Sequence, residues 1–285
     1  MISGGNATVY VADLDEAIQY YSERLGLTLT NRFGGHWATV EAGPSYWTSG
    51  EAGAGLTIGL HPRSPRAASP GTKGGVGFGL ETYAPIDEVM RRLVENGVRV
   101  DGEVIRFEAG NVVSLVDQDG LPTYVHEFPP EMVADADRAG GVAPGYDPAA
   151  RTIAGGHAIV YVSEMDAAIR FYTKTLGLTL TNRFGNNFAT AEAGRLVLGI
   201  HPKTPRTPSP GEKGSVTLGL MVDEPIERVV SQLTSRGVRI NGNVVRAEHG
   251  NSVELEDPDG NSIYLREPVL ESRPQPEARV ETTVS

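Results

Sequence analysis

The chain has no cysteine, which excludes a disulfide framework, a thiolate nucleophile and thiolate metal ligands together. No apolar run approaches the roughly 18 residues that cross a bilayer. The opening MISGGNATVY has neither the basic stretch nor the apolar core of an export signal. A cytoplasmic location with no membrane partner is therefore expected. Excess positive charge is missing too: 25 Lys and Arg stand against 36 Asp and Glu, and the formal charge of −11 argues against nucleic acid as a partner. That charge serves solubility first and favours a cationic ligand only mildly. A phosphate-binding glycine loop, a hydrolase elbow and an H-E-x-x-H helix are all absent. Tryptophan occurs only at Trp37 and Trp47, so intrinsic fluorescence can report on just two positions.

What the chain does contain, it contains twice. Residues 155–178, GGHAIVYVSEMDAAIRFYTKTLGL, repeat residues 4–27, GGNATVYVADLDEAIQYYSERLGL, and LGLTLTNRFG is identical at 25–34 and 176–185. Each copy opens with strict alternation: Val160 and Val162 point one way, His157, Ile159 and Tyr161 the other, as in a half-buried strand. A capping box follows, Ser163 to Asp166 or Asp13 to Glu16, and apolar residues then recur at helix spacing through Ala168, Ile169, Tyr172 and Leu176 until Gly177 ends the helix.

Within each copy the pattern begins again. A strand at Val76–Leu80 or Val216–Leu220 leads to a helix opened by Pro85 or Pro225 and stopped by Gly97 or Gly237. Strands follow around Val112–Val116 and Thr123–Glu127, and around Val253–Glu256 and Ile263–Glu267. The chain thus holds four strand–helix–strands modules. Two domains are expected, 1–128 and 153–270, with a Pro- and Gly-rich linker at 129–152 and a disordered tail at 271–285. The copies differ most at Pro44–Gly55, where copy one has a longer, Gly-rich hairpin carrying Tyr46 and Trp47. It reads either as a loose surface insertion or as a lid over a ligand.

The module pattern, with FYTKTLGL, DPDGNSIYL and GVRI after the second helix, resembles the vicinal oxygen chelate superfamily of glyoxalases, extradiol dioxygenases and bleomycin-resistance proteins. The resemblance implies an α+β fold of tandem duplicated glyoxalase-like domains. Its four βαβββ modules would form two incompletely closed β-barrels with helices outside and ligand on the concave face. Consistently apolar strand residues then face the helices, and their neighbours line the clefts. The candidate ligand-binding residues are His157, Tyr161, His201, Glu254, Tyr264 and Arg266 in copy two and Asn6, Tyr10, His61, Tyr124 and His126 in copy one, with Trp37 and Phe188 as added aromatics. Gly75, Gly77 and Gly79 leave either empty volume over a strand or a local bulge.

The resemblance also implies where a metal would sit, at the first and last strands of each module, with about three protein ligands. Those positions hold His157, Gly199, Ser215 and Tyr264 in copy two and Asn6, Gly59, Gly75 and Tyr124 in copy one, so only His157 is a usual ligand. Glu127 and Glu267 point to the opposite strand face, and His61 and His201 stand beside prolines as strand-end residues. The connectors HPRSPRAASPGTKG and HPKTPRTPSPGEKG carry Arg66, Arg206, Lys73 and Lys213, which could hold an anion or simply be solvated.

The expected function is the binding of a small aromatic or cationic molecule in a concave cleft without a cofactor, by a monomer or homodimer, with no catalytic residue assignable. The alternative is a metal-dependent enzyme of glyoxalase or dioxygenase type, with Glu254 as base. Modules are expected to pair within each copy. Copy two is expected to be the better site, with His157, Tyr161, Tyr264 and Arg266 on one surface. Pairing across copies would instead gather His157, His201 and His126, a plausible Zn, Fe or Ni set.

Overall fold

The computed structural model describes residues 2–48, 54–64, 68–107, 110–128, 151–247 and 250–268. The expected disordered tail, Arg66 and all but the last two residues of the expected linker lie outside the described residues. The first module comprises β1 (Ile2–Val11), α1 (Leu14–Ile18), β2 (Thr28–Phe33), β3 (Trp37–Pro44) and β4 (Gly55–Pro62). The second has β5 (Val76–Thr82), α2 (Ile86–Glu95), β6 (Arg99–Phe107), β7 (Gly110–Val116) and β8 (Pro122–Glu127). In copy two these recur as β9 (Gly155–Val162), α3 (Met165–Arg170), β10 (Thr179–Phe184), β11 (Phe188–Ala193) and β12 (Leu196–Pro202), then β13 (Val216–Val222), α4 (Ile226–Ser235), β14 (Arg239–Ala247), β15 (Gly250–Glu256) and β16 (Ser262–Glu267).

The described strands form one open sheet of two halves, and modules pair across the copies. β1 runs antiparallel to β13, with Ala7 opposite Leu218, and β5 antiparallel to β9, with Gly79 opposite His157. Pairing within copies is thereby overturned. One half takes its first module from copy one and its second from copy two, and the other takes the reverse. The two halves join where β4 meets β12 at Gly55 and Leu196.

The crossing brings the two connectors into direct contact. The connectors that follow β4 and β12 meet backbone to backbone, with Ser215 N–H donating to Thr72 O and Gly75 N–H to Glu212 O, each at 2.8 Å. A Cβ on Gly74 would collide with the backbone nitrogen of Gly214, and one on Gly214 with that of Gly74. Only glycine allows two main chains this close.

Helices hold each copy to itself. Both α1 and α3 run on into a wide π turn, with Leu25 N–H bonded to Tyr20 O and Leu176 N–H to Phe171 O. Tyr21 and Tyr172, fully buried on these turns, donate to Asp117 Oδ2 at 3.0 Å and Asp257 Oδ2 at 2.8 Å. Those aspartates shape the turns before β8 and β16, accepting backbone N–H groups from Asp119 and Leu121, or Asp259 and Asn261. Burial raises the pKa of all four side chains. The expected capping box forms only in part. Asp13 caps α1 by accepting from Asp15 and Glu16, whereas Ser163 turns away from α3 to donate to Asp259.

The outer core collects Val9, Ile58, Leu80, Val89, Val160, Ile200, Leu220 and Val229 between sheet and helices. Ile159 and Val197 are equally buried but lie outside this cluster, as the alternation requires of concave-face residues.

If the barrels need both copies, residues 153–270 expressed alone should be recovered as a homodimer or unfolded, by sedimentation and circular dichroism. A folded monomer would contradict the crossing. Gly74→Ala should lower stability by about 1–3 kcal/mol in urea titration, as expected for overpacking. Gly35→Ala, where a Cβ meets nothing within 4 Å, should change it by less than about 0.5 kcal/mol.

Candidate functional site

The cross-pairing redistributes the expected site residues between two clefts. The β1–β13 cleft holds Asn6, Tyr10, Trp37, His61, Glu254, Tyr264 and Arg266; the β5–β9 cleft holds Tyr124, His126, His157, Tyr161, Phe188 and His201. The expectation of His157 and Tyr161 sharing a surface with Tyr264 and Arg266 is corrected accordingly.

The side chains of the β1–β13 cleft contact one another. The Arg266 guanidinium lies 4.8 Å from the Trp37 ring centre, a cation–π contact. His61 touches both Trp37 and Tyr10, with ring centres 6.0 and 5.3 Å away. Burial lowers the pKa of Arg266. Asn6, in the place of His157, donates to Thr8 Oγ1 at 3.0 Å, and Glu254 accepts from Ser262 Oγ at 2.6 Å and from the Tyr264 hydroxyl at 3.5 Å. Tyr264 thus reaches the cleft as expected but is engaged by Glu254.

The β5–β9 cleft is organised by Glu81, which the alternation placed in phase with Gly75, Gly77 and Gly79 and which was missed. Its counterpart in the repeat is Met221, so comparing the copies hid it, and its partners in the hairpin have no counterpart at all. Glu81 is fully buried. Its Oε1 lies 2.7 Å from His157 Nδ1 and accepts from Ser45 Oγ at 2.7 Å, while Oε2 accepts from Tyr46 N–H at 2.6 Å. With the carboxylate accepting throughout, Nδ1 of His157 carries a proton, and in the neutral imidazole Nε2 then presents a lone pair. His157 is 2% exposed, and Nε2 is buried without a hydrogen-bond partner.

Of the hairpin left open as insertion or lid, Ser45, Tyr46 and Trp47 pack against the residues of this cleft. Trp47 packs on Phe128, Phe184 and Phe188 at 5.4, 5.4 and 5.2 Å, Tyr46 stacks on Phe128 at 4.3 Å, and Asn182 Nδ2 donates to Trp47 O at 3.0 Å. Residues 49–53 of the hairpin lie outside the described residues.

The three glycines differ. A Cβ on Gly75 would strike Asn261 Oδ1, and one on Gly79 would come within 2.7 Å of the Tyr124 ring. Gly77 alone borders free space, with Tyr161 its nearest neighbour at 3.9 Å. That space is a cavity of about 140 Å³ walled by Gly77, Ser114, Tyr124 and Tyr161, with Lys73 and Arg206 from the two connectors also lining it. Burial raises the Tyr124 phenol and pushes Tyr161 up to about 12, so both remain neutral hydroxyls at ordinary pH.

His201 Nδ1 lies 2.7 Å from Pro202 O, and His61 Nδ1 2.6 Å from Pro62 O; a carbonyl only accepts, so both rings donate locally, as strand-end histidines do. His126 packs on Phe128 with ring centres 4.4 Å apart. Cross-pairing thus puts His157, His201 and His126 on one half of the sheet, but among the described residues no three His, Cys, Asp or Glu side chains meet as a metal-holding group. Glu81, the remaining donor, already accepts three bonds. The residues present do not fit the family's three-ligand centre.

Comparisons with known proteins agree on the fold. The model of the Glyoxalase/Bleomycin resistance protein/Dioxygenase superfamily matches residues 5–123 and 155–265. The virulence protein STM3117 of Salmonella typhimurium is 32% identical over 120 residues, covering 38% of this chain and 80% of that protein. Glyoxalase I from Zea mays superposes with a TM-score of 0.61 at 16% identity, over 94% of this chain and 92% of its own. No helix among the described residues is long and apolar enough to cross a membrane.

Burial, followed by the neighbouring His157, lowers the pKa of His201 from its ordinary 6.5 against the opposing pull of Pro202 O. The folded state therefore binds this proton less readily than the unfolded chain. The stability it contributes is complete above about pH 6.5 and is lost as pH falls toward the folded value. Urea midpoints of the wild type should fall over that window, and His201→Gln should flatten the slope.

Proposed function

Because the chain belongs to the Glyoxalase/Bleomycin resistance protein/Dioxygenase superfamily, we propose that it binds a small aromatic molecule in the β5–β9 cleft, by shape and ring contact and without a metal. The observation that carries this reading is the cavity beside Gly77, whose 140 Å³ matches the roughly 150 Å³ that accepts a benzene ring. Tyr124 and Tyr161 offer ring faces and neutral hydroxyls to a planar guest. Of the two ligand classes left open by the sequence, aromatic and cationic, Lys73 and Arg206 on the cavity wall favour an aromatic ligand that is neutral or anionic. A metal-dependent reaction needs about three convergent donors, and among the described residues no three His, Cys, Asp or Glu side chains come together, which favours the binding reading.

Benzoate and benzylamine, of like size and opposite charge, test this by isothermal calorimetry. Benzoate should bind saturably and benzylamine at least about tenfold more weakly, a difference of about 1.4 kcal/mol. Gly77→Val should fill the cavity without backbone strain and weaken benzoate by tenfold or more at unchanged melting temperature. No saturable benzoate binding, or binding indifferent to Gly77→Val, would sink the proposal.

A further inference from the structure

We infer that the inner end of the same cleft is a hydrogen-bonding subsite that takes a hydroxyl or amide group of a ligand, accepting from it at His157 Nε2 and donating to it from Trp47 Nε1. The inference rests on the reading of the β5–β9 cleft as a ligand site. Buried polar atoms without partners are uncommon, because each forgoes the hydrogen bonds it made in water. Here two of opposite sense lie against one ring: His157 and Trp47 pack on Phe188 with ring centres 5.9 and 5.2 Å away, and His157 Nε2 and Trp47 Nε1 are both buried and unpartnered. Nε2 offers a lone pair and Nε1 a proton. A group that both donates and accepts satisfies the two at once, and hydroxyls and amides are such groups.

The setting is built for this. Glu81 fixes the imidazole through Nδ1, which leaves the lone pair on the other nitrogen. Through Ser45 Oγ and Tyr46 N–H, the same carboxylate anchors the hairpin that carries Trp47. One buried anion therefore sets the orientation of the acceptor and the position of the donor. The ring of His157 lies over Gly199, where a Cβ would come within 2.9 Å of its Cδ2, so glycine is what gives the imidazole room. In the β1–β13 cleft the same positions hold Asn6, which donates to Thr8, and Met221. The subsite belongs to one cleft.

The test uses the full chain with Trp37→Phe, which leaves Trp47 as the reporter, and compares phenol with anisole, its methyl ether without the donor. Phenol should perturb Trp47 fluorescence and bind about tenfold more tightly than anisole, the effect of one hydrogen bond. His157→Phe should remove the preference while keeping the melting transition. Separately, histidine-labelled protein without ligand should show His157 protonated at Nδ1 by nitrogen NMR, and an Nε2–H tautomer would overturn the inference. Equal binding of phenol and anisole, with benzoate still excluded by Gly77→Val, would overturn the subsite alone. Failure of phenol, anisole and benzoate together would remove the cleft reading with it.

Discussion

Two main chains that touch at Gly74 and Gly214 govern this molecule. The contact leaves no room for a Cβ on either side, and it lies where each second module crosses to the first module of the other copy. The antiparallel pairs β1–β13 and β5–β9 accompany it, and they set the composition of both clefts. The helical tyrosines pull the other way, tying each first module to the last turn of its own copy through Asp117 and Asp257. The copies are consequently interlocked, with strands exchanged and helices retained.

The two clefts share a framework and differ in the residues of their concave faces. The framework residues are the same in both copies: the Tyr–Asp bond, the Pro-opened helices and the Asp-Gly turns. The concave faces are not. One carries a cation–π pair of Arg266 and Trp37. The other carries Glu81, His157 and the Trp47 hairpin, with free volume beside Gly77. Buried polar groups are costly unless partnered, so a cleft whose carboxylate is fully engaged and whose imidazole is half engaged is where a ligand has most to contribute.

The superfamily's fold is compatible with several chemistries, so membership constrains the place of a site more than its reaction. In this chain the usual ligand positions have become Gly, Ser, Tyr and Asn, apart from His157. The His157 imidazole meets the Glu81 carboxylate at Nδ1.

Local order was legible from the residues alone. Periods of two and 3.6, Pro and Gly punctuation and the repeat itself placed the strands and helices, and alternation assigned His157, Tyr161 and Tyr124 to concave faces, because side-chain direction in a strand is set by neighbours in sequence. Glu81 was legible by the same rule and escaped only because its counterpart is Met221. Which concave faces meet was not legible. Pairing within or across copies buries the same alternating residues, and the choice is accompanied by a backbone contact between connectors some 140 residues apart. The position of the hairpin over His157 was likewise decided by tertiary structure. Its anchors, Ser45 and Tyr46 on Glu81 and Trp47 on Phe188, come from three separate modules, and only the folded chain brings them together.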